Sequence, residues 1–171
     1  MSTVFVYDTG MLIALEQGDK AASAFHERIT TRKQLHPPVV PLPVLAQAWR
    51  PARGSWHVLR RFIADSTVFG TRSQHVESCH VCQGGHTVED GKRAGELLSR
   101  AADHLPPGKR PDAVDALAVV IAARHARSIL ITSDPNDLKA YRDALEVGLN
   151  EVGVLPVTRL ADLTAGRTAL V

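Results

Sequence analysis

The sequence predicts an α/β domain in three layers, with a central, mostly parallel sheet covered by helices on both faces. Three observations carry that expectation. Apolar runs of four to six residues recur along the chain, segments of helical period separate them, and the chain shows neither an internal repeat nor a low-complexity tract. A length of 171 residues suits one domain with a substantial core, and 44% hydrophobic with 22% charged residues is ordinary for a globular chain. The whole chain, 1–171, is therefore read as a single domain.

The elements follow in order. Thr3–Asp8 (TVFVYD) reads as a strand ending in an acid. Thr9 can cap a short buried helix carrying Met11, Leu12, Ile13 and Leu15, which Gly18 stops. Asp19 caps a second helix to about Thr31, with His26, Glu27 and Arg28 on its polar side. Val39–Leu42 is a strand, and Pro43 fits the first turn of the helix behind it. Ser55 opens a helix to about Ala64, and Thr67–Phe69 is a strand. Residues 71–87 are polar, rich in His, Ser and Gly, and without period, so they read as an irregular loop. A helix spans about Glu89–His104, and a Pro/Gly-rich turn follows. Asp112–Ala126 is a strongly apolar helix, Ser128–Thr132 a strand, Asp134–Leu145 a helix, Val152–Val157 a last strand, and Arg159–Leu163 a short helix capped by Thr158.

Composition narrows the function. A net charge of +2, with no basic tail and 5% aromatics, permits nucleic-acid binding without arguing for it, and offers no stacking platform. No apolar run reaches the roughly 20 residues of a membrane span. The first residues lack a basic n-region and a cleavage site, so a cytoplasmic location with reduced thiols is expected.

Acids mark the candidate site. In a parallel sheet the ligand site lies beyond the carboxyl ends of the strands. Asp8 and Asp134 leave the sheet there, at the ends of the first and fourth strands. Asp115 lies one turn into its helix, on the same face as Asp112. Each acid alone has a plain alternative as a helix cap, and capping is the preferred reading for Asp112. Together they form a cluster whose mutual repulsion a cation would relieve. Oxygen donors select Mg²⁺ or Mn²⁺ over Zn²⁺.

Four segments in order, VFVYDTGMLIALE, VVPLPVLAQAWR, DAVDALAVVIAARHA and ILITSDPNDL, resemble the PIN domain, and within it the VapC-type toxin ribonucleases of bacterial toxin–antitoxin pairs, of actinobacterial type. The resemblance covers about 3–50 and 88–157. It implies a PIN-like, Rossmann-like three-layer fold and a hydrolase that cuts RNA phosphodiesters with Mg²⁺ or Mn²⁺. Asp8, Asp115 and Asp134 match the family's metal-binding, catalytic aspartates. Position 47, where the family has Glu, is Gln47 here. An amide can ligate through oxygen or hold a water, but it is neither a base nor a counter-charge. Asp112 could supply the missing charge, with Asp137 a weaker candidate. Thr9, Thr132 and Ser133 are candidate supporting hydroxyls, and Arg50, Arg53, Lys109 and Arg110 candidate phosphate contacts. The resemblance further implies an RNA substrate, a cognate antitoxin protein, a homodimer and no membrane.

Gln47 also motivates an alternative: a PIN-fold protein with weak or lost catalysis that binds RNA or a protein partner. A dehalogenase-type phosphatase would want an acid where Gly10 stands, and no GxGxxG loop follows the first strand for a dinucleotide. One motif stands apart. His75, Cys79, Cys82 and His86 form a symmetric set of zinc-type donors. An unliganded loop is the preferred reading of this segment, with structural Zn²⁺ the alternative and a redox role below both.

Overall fold

The structure, a computed structural model, describes residues 3–32, 35–50, 56–71, 79–146 and 150–164. Its strands are β1 (Val4–Tyr7), β2 (Val39–Val40), β3 (Thr67–Val68), β4 (Arg127–Thr132) and β5 (Glu151–Pro156). Its helices are α1 (Thr9–Glu16), α2 (Lys20–Thr30), α3 (Leu42–Ala48), α4 (Trp56–Ala64), α5 (His80–Gln83), α6 (Val88–Ala101), α7 (Ala113–Ala123), α8 (Pro135–Asp143) and α9 (Leu160–Thr164). The strands form one sheet in the order β3-β2-β1-β4-β5. Every pairing is parallel, with Val6 opposite Val39 and Leu130, and Ile129 opposite Gly153. This is the expected α/β architecture of a parallel sheet flanked by helices. Among the described residues, no helix is long and apolar enough to cross a membrane.

Burial follows position in the sheet. β1 is central, and all four of its residues are buried. Phe5 meets the edge of Phe25 from α2. The buried residues of α2 are Ala22, Phe25, His26 and Ile29, a stripe at spacings three, four and seven. His26 therefore lies inside rather than on the expected polar side. It pairs with the Tyr7 hydroxyl at 3.2 Å and packs edge-on against Phe62. Desolvation lowers its pKa to about 4.

The second strand ends sooner than the sequence suggests, because Leu42 already belongs to α3. Pro41 occupies the N-cap and Pro43 the first turn. β2 is an inner strand, and a residue without an N–H cannot extend its ladder.

The segment read as an irregular loop is partly built. Its described portion contains α5, and Cys82 on that turn is buried. The Cys82 carbonyl accepts the Gly70 amide at 2.7 Å. Gly70, at φ 91°, faces Gly85, and a Cβ at Gly70 would approach Gly85 Cα to 3.0 Å. Thr87 and Asp90 then cap α6 reciprocally. Arg124, just past α7, donates to the Gly85 carbonyl and to Asp90, both at 2.8 Å, and lies over the Phe69 ring. Its partner Asp90 is buried, so losing the guanidinium leaves an uncompensated carboxylate. Arg124→Ala should cost about 2–4 kcal/mol and lower the urea midpoint accordingly.

Candidate functional site

An all-parallel sheet aligns every carboxyl end on one edge. β1 continues to β2 on one side while β4 flanks it on the other, so a crevice opens between β1 and β4. Asp8 and Asp134 follow these two strands. The Asp8 amide extends the ladder by donating to the Ile131 carbonyl at 3.0 Å. Its side chain is buried and makes no cap bond to α1. Asp8 Oδ2 accepts from the Thr132 hydroxyl at 2.8 Å. That same hydroxyl oxygen accepts the Asp134 amide at 3.0 Å. One threonine thus ties the two strand ends together. Asp8 Oδ1 is buried with no hydrogen-bond partner. Burial raises the Asp8 pKa against the lowering by Thr132.

Gly10 lets α1 approach this edge. A Cβ there would sit 2.5 Å from the Ser133 amide nitrogen, a contact that side chains do not make. Ser133 itself is exposed. In the sequence Gly10 serves only to exclude a phosphatase, and its pairing with Ser133 is visible only in three dimensions.

α7 precedes β4, so its amino end lies at the carboxyl edge of the sheet. Asp112 is its N-cap: one carboxylate oxygen accepts the Val114 amide at 2.7 Å, and its own amide donates to the Tyr141 hydroxyl. The capping reading for Asp112 holds. Asp115 stands one turn further on. Its pKa is raised to about 7, first by desolvation and then by Asp8, Asp112, Asp137 and Asp134. Aspartates from separate segments therefore lie within electrostatic reach of Asp115.

Asp134 occupies the N-cap position of α8 but makes no side-chain cap bond. It is held instead by Lys109, whose ammonium donates to Asp134 at 2.6 Å and to Asp137 at 2.8 Å. Both carboxylates raise the Lys109 pKa. Asp137 is buried, with its other oxygen unpartnered. The sequence ranks Asp112 above Asp137; in the structure Asp112 spends an oxygen on its helix, while Asp137 shares Lys109 with Asp134. A signal exists in the sequence: Asp137 lies one helical turn from Asp134 behind a first-turn proline. Lys109, expected to meet phosphate, here bridges the acids.

Gln47 reaches the site through Thr9, whose hydroxyl donates to the amide oxygen. Arg50 and Arg110 are exposed, and Arg53 lies outside the described residues. Of the four zinc-type donors, the alternative reading of this segment, three lie among the described residues. His75 lies outside the described residues, and His86 packs its ring against Phe69. Cys79 and Cys82 do come together, with His36 beside them.

Carboxylate donors, two buried oxygens without partners and a lysine ammonium seated between two acids are hard, oxygen-based chemistry. Among the described residues, the potential ligand atoms that already lie within 4.8 Å of one another are those of His36, Cys79 and Cys82, so a cation held by Asp8, Asp115, Asp134 and Asp137 would have to draw these carboxylates together.

No protein-family profile and no curated protein matches the chain. Among solved structures, it is similar to the crystal structure of PAE2754 from Pyrobaculum aerophilum. The TM-score is 0.51 at 17% identity, over 97% of this chain and 99% of that one. At that identity the likeness concerns the fold alone.

The raised pKa of Asp115 has a thermodynamic sign. The folded state holds this proton more tightly than the unfolded chain, so the associated stability is complete below about pH 4 and is lost as pH rises through about 7. In chelator-treated protein, Asp115→Asn should raise Tm at pH 8 by about 2–4 °C and leave it unchanged near pH 4. Scanning calorimetry at the two pH values measures this.

Proposed function

We propose that this chain is a PIN-type, metal-dependent endoribonuclease that serves as the toxin of a toxin–antitoxin pair. The observation that carries the reading is the assembly of Asp8, Asp115 and Asp134 on one sheet edge, the residues that the sequence resemblance selects. Bound there, Mg²⁺ or Mn²⁺ would polarise a phosphoryl oxygen and acidify a water for attack on phosphorus.

The chain's own groups prepare that chemistry. Thr132 fixes Asp8 by its hydroxyl and leaves Asp8 Oδ1 free to ligate. Gln47 commits its amide oxygen to Thr9, so its NH₂ can donate to a phosphate oxygen. Lys109 must leave Asp134 when a cation enters, and from the exposed turn at 108–110 it can then meet the RNA backbone beside Arg110. The ammonium lodged between Asp134 and Asp137 is a precedent for a basic side chain of an antitoxin at the same place. A cytoplasmic location and a homodimer complete the reading.

Gln47 favours a second reading, in which catalysis is weak or lost and the fold acts by binding RNA or a protein. An amide there carries no charge and cannot take a proton. Two experiments decide. With Mn²⁺ or Mg²⁺, wild-type protein is expected to cleave RNA while Asp8→Ala does not; equal cleavage by both would sink the nuclease reading. Gln47→Glu is expected to raise the cleavage rate about tenfold, measured under single-turnover conditions. A wild type that is silent, but becomes active on the Gln47→Glu substitution, would favour the binding reading for the natural chain.

A further inference from the structure

Away from the acidic edge, three residues remote in sequence bring soft donors together. A ring nitrogen of His36, Cys79 Sγ and Cys82 Sγ lie within 4.8 Å of one another. We propose that His36, Cys79 and Cys82 form a structural Zn²⁺ site, with His125, which meets Cys82 but lies outside the group of mutually close donors, as the candidate fourth ligand once its ring shifts.

The histidine spacings around Cys82 are close to those about a tetrahedral ion, and the two sulfurs would have to part slightly to admit one. Usual Zn–S and Zn–N lengths give edges of about 3.8 Å between sulfurs and about 3.6 Å between sulfur and nitrogen. His36 Nε2 lies 3.6 Å from Cys82 Sγ, His125 Nε2 3.4 Å from the same sulfur, and the two sulfurs 3.1 Å apart. Both cysteines are free, and a disulfide would need about 2.05 Å.

Both imidazoles are oriented for ligation. His36 Nδ1 meets the Pro37 carbonyl at 2.6 Å, and His125 Nδ1 meets the Ile121 carbonyl at 3.1 Å. A carbonyl only accepts, so each Nδ1 carries the proton and each Nε2 offers its lone pair toward Cys82. Cys79 is the N-cap of α5 and accepts the Cys82 amide at 3.4 Å, which sets the two sulfurs side by side one turn apart. Gly70 and Arg124 hold the same turn through the Cys82 and Gly85 carbonyls.

The placement argues for a structural rather than a catalytic ion. His36 precedes β2 and His125 precedes β4, so both approach from the amino ends of the strands, opposite the acidic edge. Cys82 and His125 are buried, and His36 and Cys79 are partly buried, as suits a structural ion. An ion here would staple the segment before β2, the turn at α5 and the end of α7.

The test uses the full chain, purified without chelator and analysed for zinc. About one Zn²⁺ per chain is expected. The apo form, titrated with Co²⁺, should develop intense tetrahedral d–d bands and thiolate charge-transfer absorption. Co²⁺ on the carboxylates would give neither. Cys79→Ser and His36→Asn, checked by circular dichroism, should each weaken binding by at least about tenfold, and Asp8→Ala should leave it unchanged. The proposal is overturned if wild type carries no zinc and shows no charge-transfer band. It is equally overturned if mass spectrometry finds the two cysteines joined in a disulfide instead, or if Asp8→Ala loses the ion while Cys79→Ser keeps it.

Discussion

The pairing of β1 with β4 is the constraint on which the rest of the structure depends. Tyr7 lies opposite Ile131, so the next residue on each strand emerges at the same height of the sheet. Asp8 then reaches the Thr132 hydroxyl, and Thr132 in turn receives the Asp134 amide. A slip of one residue would turn Thr132 to the other face and separate the two acids. The same register keeps β1 wholly buried, so the apolar drive that fixes the sheet also fixes the site.

Charge is the second organising quantity. Five aspartates from three segments converge where burial already disfavours ionisation, and Asp115 absorbs much of that cost by holding a proton to near neutrality. Lys109 relieves Asp134 and Asp137 from an exposed turn. An ammonium on a flexible stem is easily displaced, which distinguishes it from a fixed structural counter-ion. Asp112 contributes charge but spends an oxygen on its helix, and Gln47 contributes none.

Hard and soft donors gather in different places. The aspartates follow β1 and β4, whereas His36 and His125 precede β2 and β4 and meet the thiols of α5. Such donors prefer different ions, so the two clusters need not compete for one metal. The second cluster, if it holds an ion, also gives a reason for the ordered turn at α5, where Cys82 is the buried residue among those described from 79 to 87.

Short stretches of sequence were enough to establish the alternation of strands and helices, the capping of α2 by Asp19 and of α7 by Asp112, and the exit of Asp8 and Asp134 from the ends of apolar strands. Each is a local matter of period, cap chemistry or turn residues, encoded within a few positions. The resemblance in four short motifs added Asp115 and Gln47. Tertiary structure settled what depends on distant segments meeting. It placed His26 inside because α2 turns that stripe toward the sheet. It tied Asp137 to Asp134, because Lys109 reaches both carboxylates from a separate turn. It replaced His86 by His36 beside the two cysteines, because a loop's partners are chosen by where the strands end and not by spacing along the chain. Backbone patterns are local and therefore readable, whereas charge coupling and donor geometry arise only once the sheet has fixed which ends are neighbours.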